Sequence, residues 1–149
     1  MNVSDIMTAT PVTIHKDSTI HEALEAMQDL SCHHLPVTGS EGHLIGILSD
    51  HDCRKALNWS HLWRDDWEDD QRARSVRVGR IMTPGPIVIE PDAPAAEAAR
   101  LMLAHNVRCL PVIRAETLVG IITTTDILMA FVNAQRTAQP LITGESAGM

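Results

Sequence analysis

Two kinds of hydrophobic spacing alternate along this chain. Ile20, Ala23, Leu24, Met27 and Leu30 fall at helical intervals, which predicts an amphipathic helix with one apolar face. Thr19 stands three residues ahead of Glu22, the spacing at which a hydroxyl and a carboxylate cap a helix start reciprocally. Short apolar runs flank that helix. Pro11-Val12-Thr13-Ile14 precedes it as a strand with proline at its entrance, and Leu35-Pro36-Val37 and Leu44-Ile45-Gly46-Ile47-Leu48 follow it. Pro36 predicts a short or edge strand with few ladder bonds to lose. A second helix is expected from about Asp52. The order strand, helix, strand, strand, helix predicts a mixed α/β (α+β) unit with its helices on one sheet face.

The whole order then recurs. Val3-Ser4-Asp5-Ile6-Met7-Thr8 is answered by Val78-Gly79-Arg80-Ile81-Met82-Thr83 at an offset of 75 (82 − 7), and Leu35-Pro36-Val37 by Leu110-Pro111-Val112 at 75 (110 − 35). Gly46-Ile47-Leu48-Ser49-Asp50-His51-Asp52 returns as Gly120-Ile121-Ile122-Thr123-Thr124-Thr125-Asp126 at 74 (120 − 46), and the slip falls in the turn-forming stretch Thr38 to Gly42. Pro86-Ile87-Val88-Ile89 repeats the first strand, and Pro94 falls in the first turn of the next helix. Ala95, Ala98, Ala99 and Met102 repeat the inward stripe with smaller residues, and the last helix is expected from Asp126 to about Ala134. A fixed period of this kind makes the protein two copies of one β-α-β-β-α unit. Each copy is marginal in size for a core of its own, so the two are expected to pack as one module. The first repeat is read over 1–57, a connector over 58–77, the second repeat over 78–134 and a flexible tail over 135–149.

The connector concentrates all three tryptophans, Trp59, Trp63 and Trp67, four apart and therefore on one stripe of a helix, among Asp65, Asp66, Glu68, Asp69 and Asp70. The stripe either packs on the module's own flank or forms a dimer or partner surface, since clustered tryptophan suits interface anchors.

Composition narrows the class. The chain has 149 residues, 44% of them hydrophobic and 21% charged, with a net charge of −7. That is ordinary globular composition, and the acidic balance disfavours a phosphate-backbone partner. No run approaches the roughly 20 apolar residues of a membrane span, and the N-terminus lacks an export pattern, so a cytoplasmic location is expected. Three scattered cysteines, Cys32, Cys53 and Cys109, argue against a disulfide framework and fit a reducing compartment. Cys32-His33-His34 invites a metal reading, but consecutive strand residues point to opposite faces, and no paired zinc-ligand spacing is present. No nucleophile elbow, phosphate loop or dinucleotide glycine fingerprint occurs, and Asp50 and Asp52 make a poor acid–base pair, so catalysis is not expected.

Asp5-Ile6-Met7-Thr8 with Pro11-Val12, Leu35-Pro36-Val37, and the Gly46 to Asp52 motif, each with its counterpart, resemble a tandem pair of cystathionine-β-synthase-type (CBS) domains, the Bateman module. The resemblance covers nearly all of Val3 to Val132 and is similar to stand-alone bacterial pairs of the AcuB type. It implies two CBS repeats packed with pseudo-twofold symmetry, and a ligand-sensing pair whose inter-repeat clefts hold adenosyl compounds such as AMP, ADP, ATP or S-adenosylmethionine. No obligatory cofactor is expected. It also implies a homodimer acting on an unidentified regulated protein. The alternative is a constitutive dimeric assembly protein with vestigial clefts.

The motif carboxylate suits ribose because its two oxygens match a vicinal diol, and the hydroxyl three residues earlier can donate to a phosphate. By resemblance, the first cleft combines Ser49 and Asp52 with Thr83, Pro84, Gly85, Ile87, Val107 and Arg108. The second combines Thr123 and Asp126 with Thr8, Ala9, Thr10, Val12, Cys32 and His33. Arg108 is a permanent cation and His33 is not, so the first cleft is expected to take the more highly charged nucleotide. Asp52 and Asp126 alternatively only cap helices, and Arg108 alternatively is a solvated surface charge.

Overall fold

The computed structural model of the chain describes residues 1–57 and 70–138. The elements of the first repeat are α1 (Val3–Ile6), β1 (Thr8–Ala9), β2 (Ile14–His15), α2 (Ile20–Leu30), β3 (His34–Thr38), β4 (Leu44–Ser49) and α3 (Asp50–Ala56). After α4 (Gln71–Ser75) in the connector, the second repeat follows as β5 (Thr83–Pro84), α5 (Ala95–His105), β6 (Cys109–Arg114), β7 (Thr117–Thr123) and α6 (Thr124–Ala138). The class is mixed α/β, as the hydrophobic spacing predicts.

Local chemistry accounts for several boundaries. Thr19 caps α2 and Glu22 reaches back to the Thr19 N–H, which is the expected reciprocal cap. Both long repeat helices end on a residue in the left-handed region, Ser31 after α2 (φ 52°) and Asn106 after α5 (φ 54°), which stops the helix and turns the chain into the next strand. Ala115 and Glu116 both have positive φ, as a two-residue turn between right-twisted strands requires.

The sheets exchange strands between the repeats. One sheet has the order β2-β3-β4-β5 and the other β1-β7-β6. Thus β5, which opens the second repeat, pairs antiparallel with β4 of the first, Thr83 opposite Ile47 and Pro84 opposite Gly46. Reciprocally, β1 pairs with β7, Thr8 opposite Ile121 and Ala9 opposite Gly120. The helical turn ahead of each crossing strand goes with it. Val78 lies in the core of the first repeat, beside Ile20, Leu35, Val37 and Leu48. Val3 lies in the core of the second, beside Leu110, Val112 and Ile122. Both valines are fully buried, and each contributes roughly 1.5–3 kcal/mol to a core that its own repeat does not house. The sequence repeat and the packing unit are therefore offset by one segment.

The repeated glycines follow from this exchange. A Cβ on Gly46 would lie 2.9 Å from the Thr83 carbonyl oxygen and against the Met82 sulfur, and one on Gly120 would meet the Thr8 carbonyl oxygen and the Met7 sulfur. Only hydrogen leaves room for the crossing strand.

Several expectations are corrected. The first strand is Ile14–His15, not Pro11 to Ile14, and Val12 is 49% exposed. Pro36 sits in an interior strand, β3 between β2 and β4, not a short or edge one, while Pro111 lies in β6 at the end of its sheet, flanked by a single Ile89–Val112 bridge. Ile89 N–H donates to the Pro111 carbonyl, so the missing proline N–H faces the brief first-strand side, where pairing is just beginning and little is lost. Helix α3 starts at Asp50, two residues before the expected Asp52, and α6 runs past Ala134 to Ala138. Pro94 is the cap residue before α5 rather than within its first turn. Leu30 ends its stripe exposed. Trp59, Trp63 and Trp67, with Asp65, Asp66, Glu68 and Asp69, and the tail beyond 138 lie outside the described residues.

Candidate functional site

Each repeat ends its sheet in the same construction. At the exit of β4 the Ser49 hydroxyl accepts from the Asp52 N–H at 3.0 Å, while Asp52 Oδ2 accepts from the Ser49 N–H at 3.0 Å. At the exit of β7 the Asp126 N–H donates to Thr123 Oγ1 at 3.3 Å, and Asp126 Oδ2 accepts from the Thr123 N–H at 2.9 Å. Both pairs are reciprocal helix caps, so the capping reading of these carboxylates describes the geometry. Capping commits one carboxylate oxygen. Oδ1 of each aspartate has no protein partner among the described residues. The hydroxyls differ: Thr123 Oγ1 also donates to Asp126 Oδ2 at 3.1 Å, while the Ser49 hydroxyl has no acceptor among the described residues.

The crossing strands bring other expected residues alongside. Thr83 and Pro84 lie on the strand next to Ser49, and the Gly85 N–H donates to the Ile45 carbonyl. Thr8 and Ala9 lie on the strand next to Thr123, and the Thr10 N–H donates to the Val119 carbonyl, the same bond in the other repeat. Gly85 and Thr10 share left-handed backbone, φ 57° and 49°, which glycine adopts freely and a β-branched threonine does not. Ile87 and Val107 pack on the second core, whereas Val12 is exposed. Cys32 is half-buried beside the first core.

The main chain of His33 and of Arg108 is bonded at the strand exit of its own repeat. The His33 carbonyl accepts from the Asp50 N–H at 3.0 Å, and the Arg108 carbonyl accepts from the Thr124 N–H at 3.0 Å. Because β3 and β4 run antiparallel, as do β6 and β7, the residue before each Leu-Pro-Val strand meets the exit of its own repeat's strand. The His33 main chain therefore lies beside the start of α3 and the Arg108 main chain beside the start of α6.

Residues that the motif reading passed over complete the electrostatics. His33 Nδ1 lies 3.1 Å from Asp50 Oδ2, and Arg54 approaches the same oxygen at 3.6 Å. Burial pushes the His34 imidazole below its ordinary value. Asp50 and Asp52 oppose the shift, while His33 and Arg108 add to it. Arg108, from the second repeat, is thus close enough to be felt in the first. Burial raises the Cys53 and Cys109 thiols to about 12, with the neighbouring aspartates adding to it, so both are unreactive fillers. Among the described residues no group of three potential ligands gathers for a metal ion, and no helix is long and apolar enough to cross a membrane.

Against known proteins, the CBS domain family matches twice, over residues 3–58 and 78–133. A CBS domain-containing protein of Dictyostelium discoideum is 35% identical over 127 residues, 85% of this chain and 88% of that protein. Several other curated relatives are much longer, enzymes among them, and the chain spans 31% or less of their length. Among solved structures, a Vibrio cholerae protein assigned to acetoin utilization (AcuB) is similar at TM-score 0.75 and 29% identity, covering 93% of this chain and 96% of that one. The CBS domain pair of protein MJ0100, solved with 5′-methylthioadenosine and S-adenosyl-L-methionine, is similar at 0.75 and 28%, covering 90% and 98%. CBSX2 of Arabidopsis thaliana, solved with AMP, is similar at 0.72 and 30%, covering 91% and 98%. With both repeats matched by the family and the pair fold shared with these structures, the chain belongs to the CBS domain family as a tandem pair.

Proposed function

We propose that this CBS pair is a non-catalytic regulatory module that binds adenosyl ligands at its two strand exits and passes their occupancy to a partner protein in the cytoplasm. One observation carries the reading. Each exit places a carboxylate with an uncommitted oxygen beside a strand donated by the other repeat, so a ligand there touches both halves at once. A ribose diol matches the carboxylate, and the flat crossing strand offers a surface for adenine. AMP, 5′-methylthioadenosine and S-adenosylmethionine in the similar structures support the ligand class, to which ADP and ATP also belong chemically. A ligand spanning two halves favours one arrangement of them, and that differential affinity is all a sensor needs.

A second reading has its own observation. Leu128, Met129, Phe131 and Val132 of α6 are exposed, whereas the positions of Leu128 and Met129 are Arg54 and Lys55 in α3. The fold does not demand apolar residues there, so they favour self-association into a homodimer, and an assembly role with vestigial clefts would use the same face.

Thermal shift and calorimetry separate the two. An adenosyl ligand should raise the melting temperature, because it binds only the native state. Asp52→Asn and Asp126→Asn keep an acceptor for the cap while removing the charge from the diol. Each should weaken binding at its own exit by about tenfold or more. No shift with AMP, ATP or S-adenosylmethionine at millimolar concentration would leave the assembly role.

A further inference from the structure

We infer that the segment after α6, residues 139–149, seats its Leu141 and Ile142 on the open flank between α5 and α6, over Phe131 and Val132, and so withholds that flank from a second copy of the chain. The inference is independent of the adenosyl reading and names what covers the apolar face of α6.

The first repeat shows what such a flank accepts. The Ile20 N–H donates to the Val76 carbonyl at 3.0 Å and the Ala95 N–H to the Met1 carbonyl at 2.9 Å, so Val76 and Met1 hold matched places at the starts of α2 and α5. Just ahead of Val76, α4 packs on α2 and buries Ala73 in the first core together with Leu57, the residue that closes α3. At the offset of 74, Leu57 corresponds to Phe131 (131 − 74). Leu57 is 3% exposed and Phe131 62%. Met1 is exposed where Val76 is half-buried, and Ala95 and Ala99 are partly exposed where Ile20 and Leu24 are buried. Among the described residues the second repeat has no counterpart of α4, and the flank that α4 closes in the first repeat is open in the second.

Chain length and charge select the occupant. Helix α3 ends at Ala56, whose match is Ala130, yet α6 continues to Ala138. That overhang of eight residues (138 − 130) is roughly 12 Å of helix. Eleven residues follow (149 − 138), and about four of them in extended form retrace the overhang. Pro140 opposes further helix, and the residues that return are Leu141 and Ile142, the segment's only branched aliphatic side chains. From Ile127 to Gln135 the sequence of α6 carries no charged side chain, and the segment carries one, Glu145, so the contact desolvates little charge. A second copy brings its whole net charge of −7 with it. Tethering decides the competition. A segment joined directly to its seat is present at an effective concentration near millimolar, far above a second copy at micromolar concentration.

Analytical ultracentrifugation and ANS fluorescence test this on the full chain and on its double variant Leu141→Ser, Ile142→Ser. Freed of its cover, the flank should either bind ANS more strongly or pair with a second copy. Where pairing is read, the dissociation constant should fall at least about tenfold, as when a docked segment leaves about one molecule in ten competent to pair. Phe131→Ser added to the double variant should cancel either change, and because Phe131 is exposed the substitution leaves both cores intact. Equal ANS binding together with equal self-association in the full chain and the double variant overturns the proposal, as does a rise that survives Phe131→Ser. Weaker self-association in the double variant also overturns it, because the segment would then belong to the pairing surface rather than withhold it.

Discussion

Thr10 carries left-handed backbone at a position where the matched residue of the other repeat is Gly85, with φ 49° and 57° and the same N–H bond to the neighbouring strand. A β-branched residue there costs roughly 1–3 kcal/mol. Space is not the issue, since a Cβ at Gly85 would meet nothing within 4 Å. Thr10→Gly should therefore stabilise the protein by about 1 kcal/mol net of the extra freedom that glycine has in the unfolded chain, and Gly85→Thr should destabilise it. Denaturant unfolding reads both, and a destabilising Thr10→Gly would show that the threonine side chain contributes more than its backbone costs. His34 gives the second residue-scale prediction. Its folded pKa lies below the ordinary 6.5, first through burial, so the unfolded chain takes up the proton more readily. The associated stability is present above about pH 6.5 and is lost as pH falls through the folded value. Unfolding free energy measured from about pH 7.5 to 5 should decline, and His34→Gln should flatten that decline; an unchanged slope would count against the imidazole as its source.

At the scale of elements, the exchange of β1 and β5 organises the rest. Each motif glycine is small because a strand from the other repeat lies on it, and each leading valine is buried because it completes the other repeat's core. The repeat unit in the sequence was visible from its offsets of 75 and 74, since identical motifs fold to identical elements. Which repeat each leading segment joins was not visible, because Val3 and Val78 are equally apolar toward either core. The reciprocal caps at Thr19 and Glu22, and at the two strand exits, were legible because a cap depends on residues three apart. The edge-strand expectation for Pro36 failed for the opposite reason: what a proline costs depends on which neighbour its missing N–H would have faced.

For the whole molecule, the exchange makes each core depend on a segment of the other repeat. A fragment of residues 10–84 retains Val78, Met82 and the β5 strand with the first core, while a fragment of residues 1–57 lacks them and carries α1 and β1 with nothing to pair against. The longer fragment should show a cooperative thermal transition and the shorter one none, by circular dichroism; a cooperative transition in residues 1–57 would mean that the crossing segment is dispensable.

Periodicity, caps and matched motifs are local or repetitive features, and for that reason the class, the two copies, the carboxylate at each strand exit and the kinship with CBS pairs could all be read along the chain. The partners of Arg108 and His33 could not. They follow from strand register: antiparallel pairing brings the residue before each Leu-Pro-Val strand to its own repeat's exit, and no spacing along the chain encodes that meeting. Asp50, inside the motif, meets His33 and Arg54 only once folding has brought β3 against the start of α3.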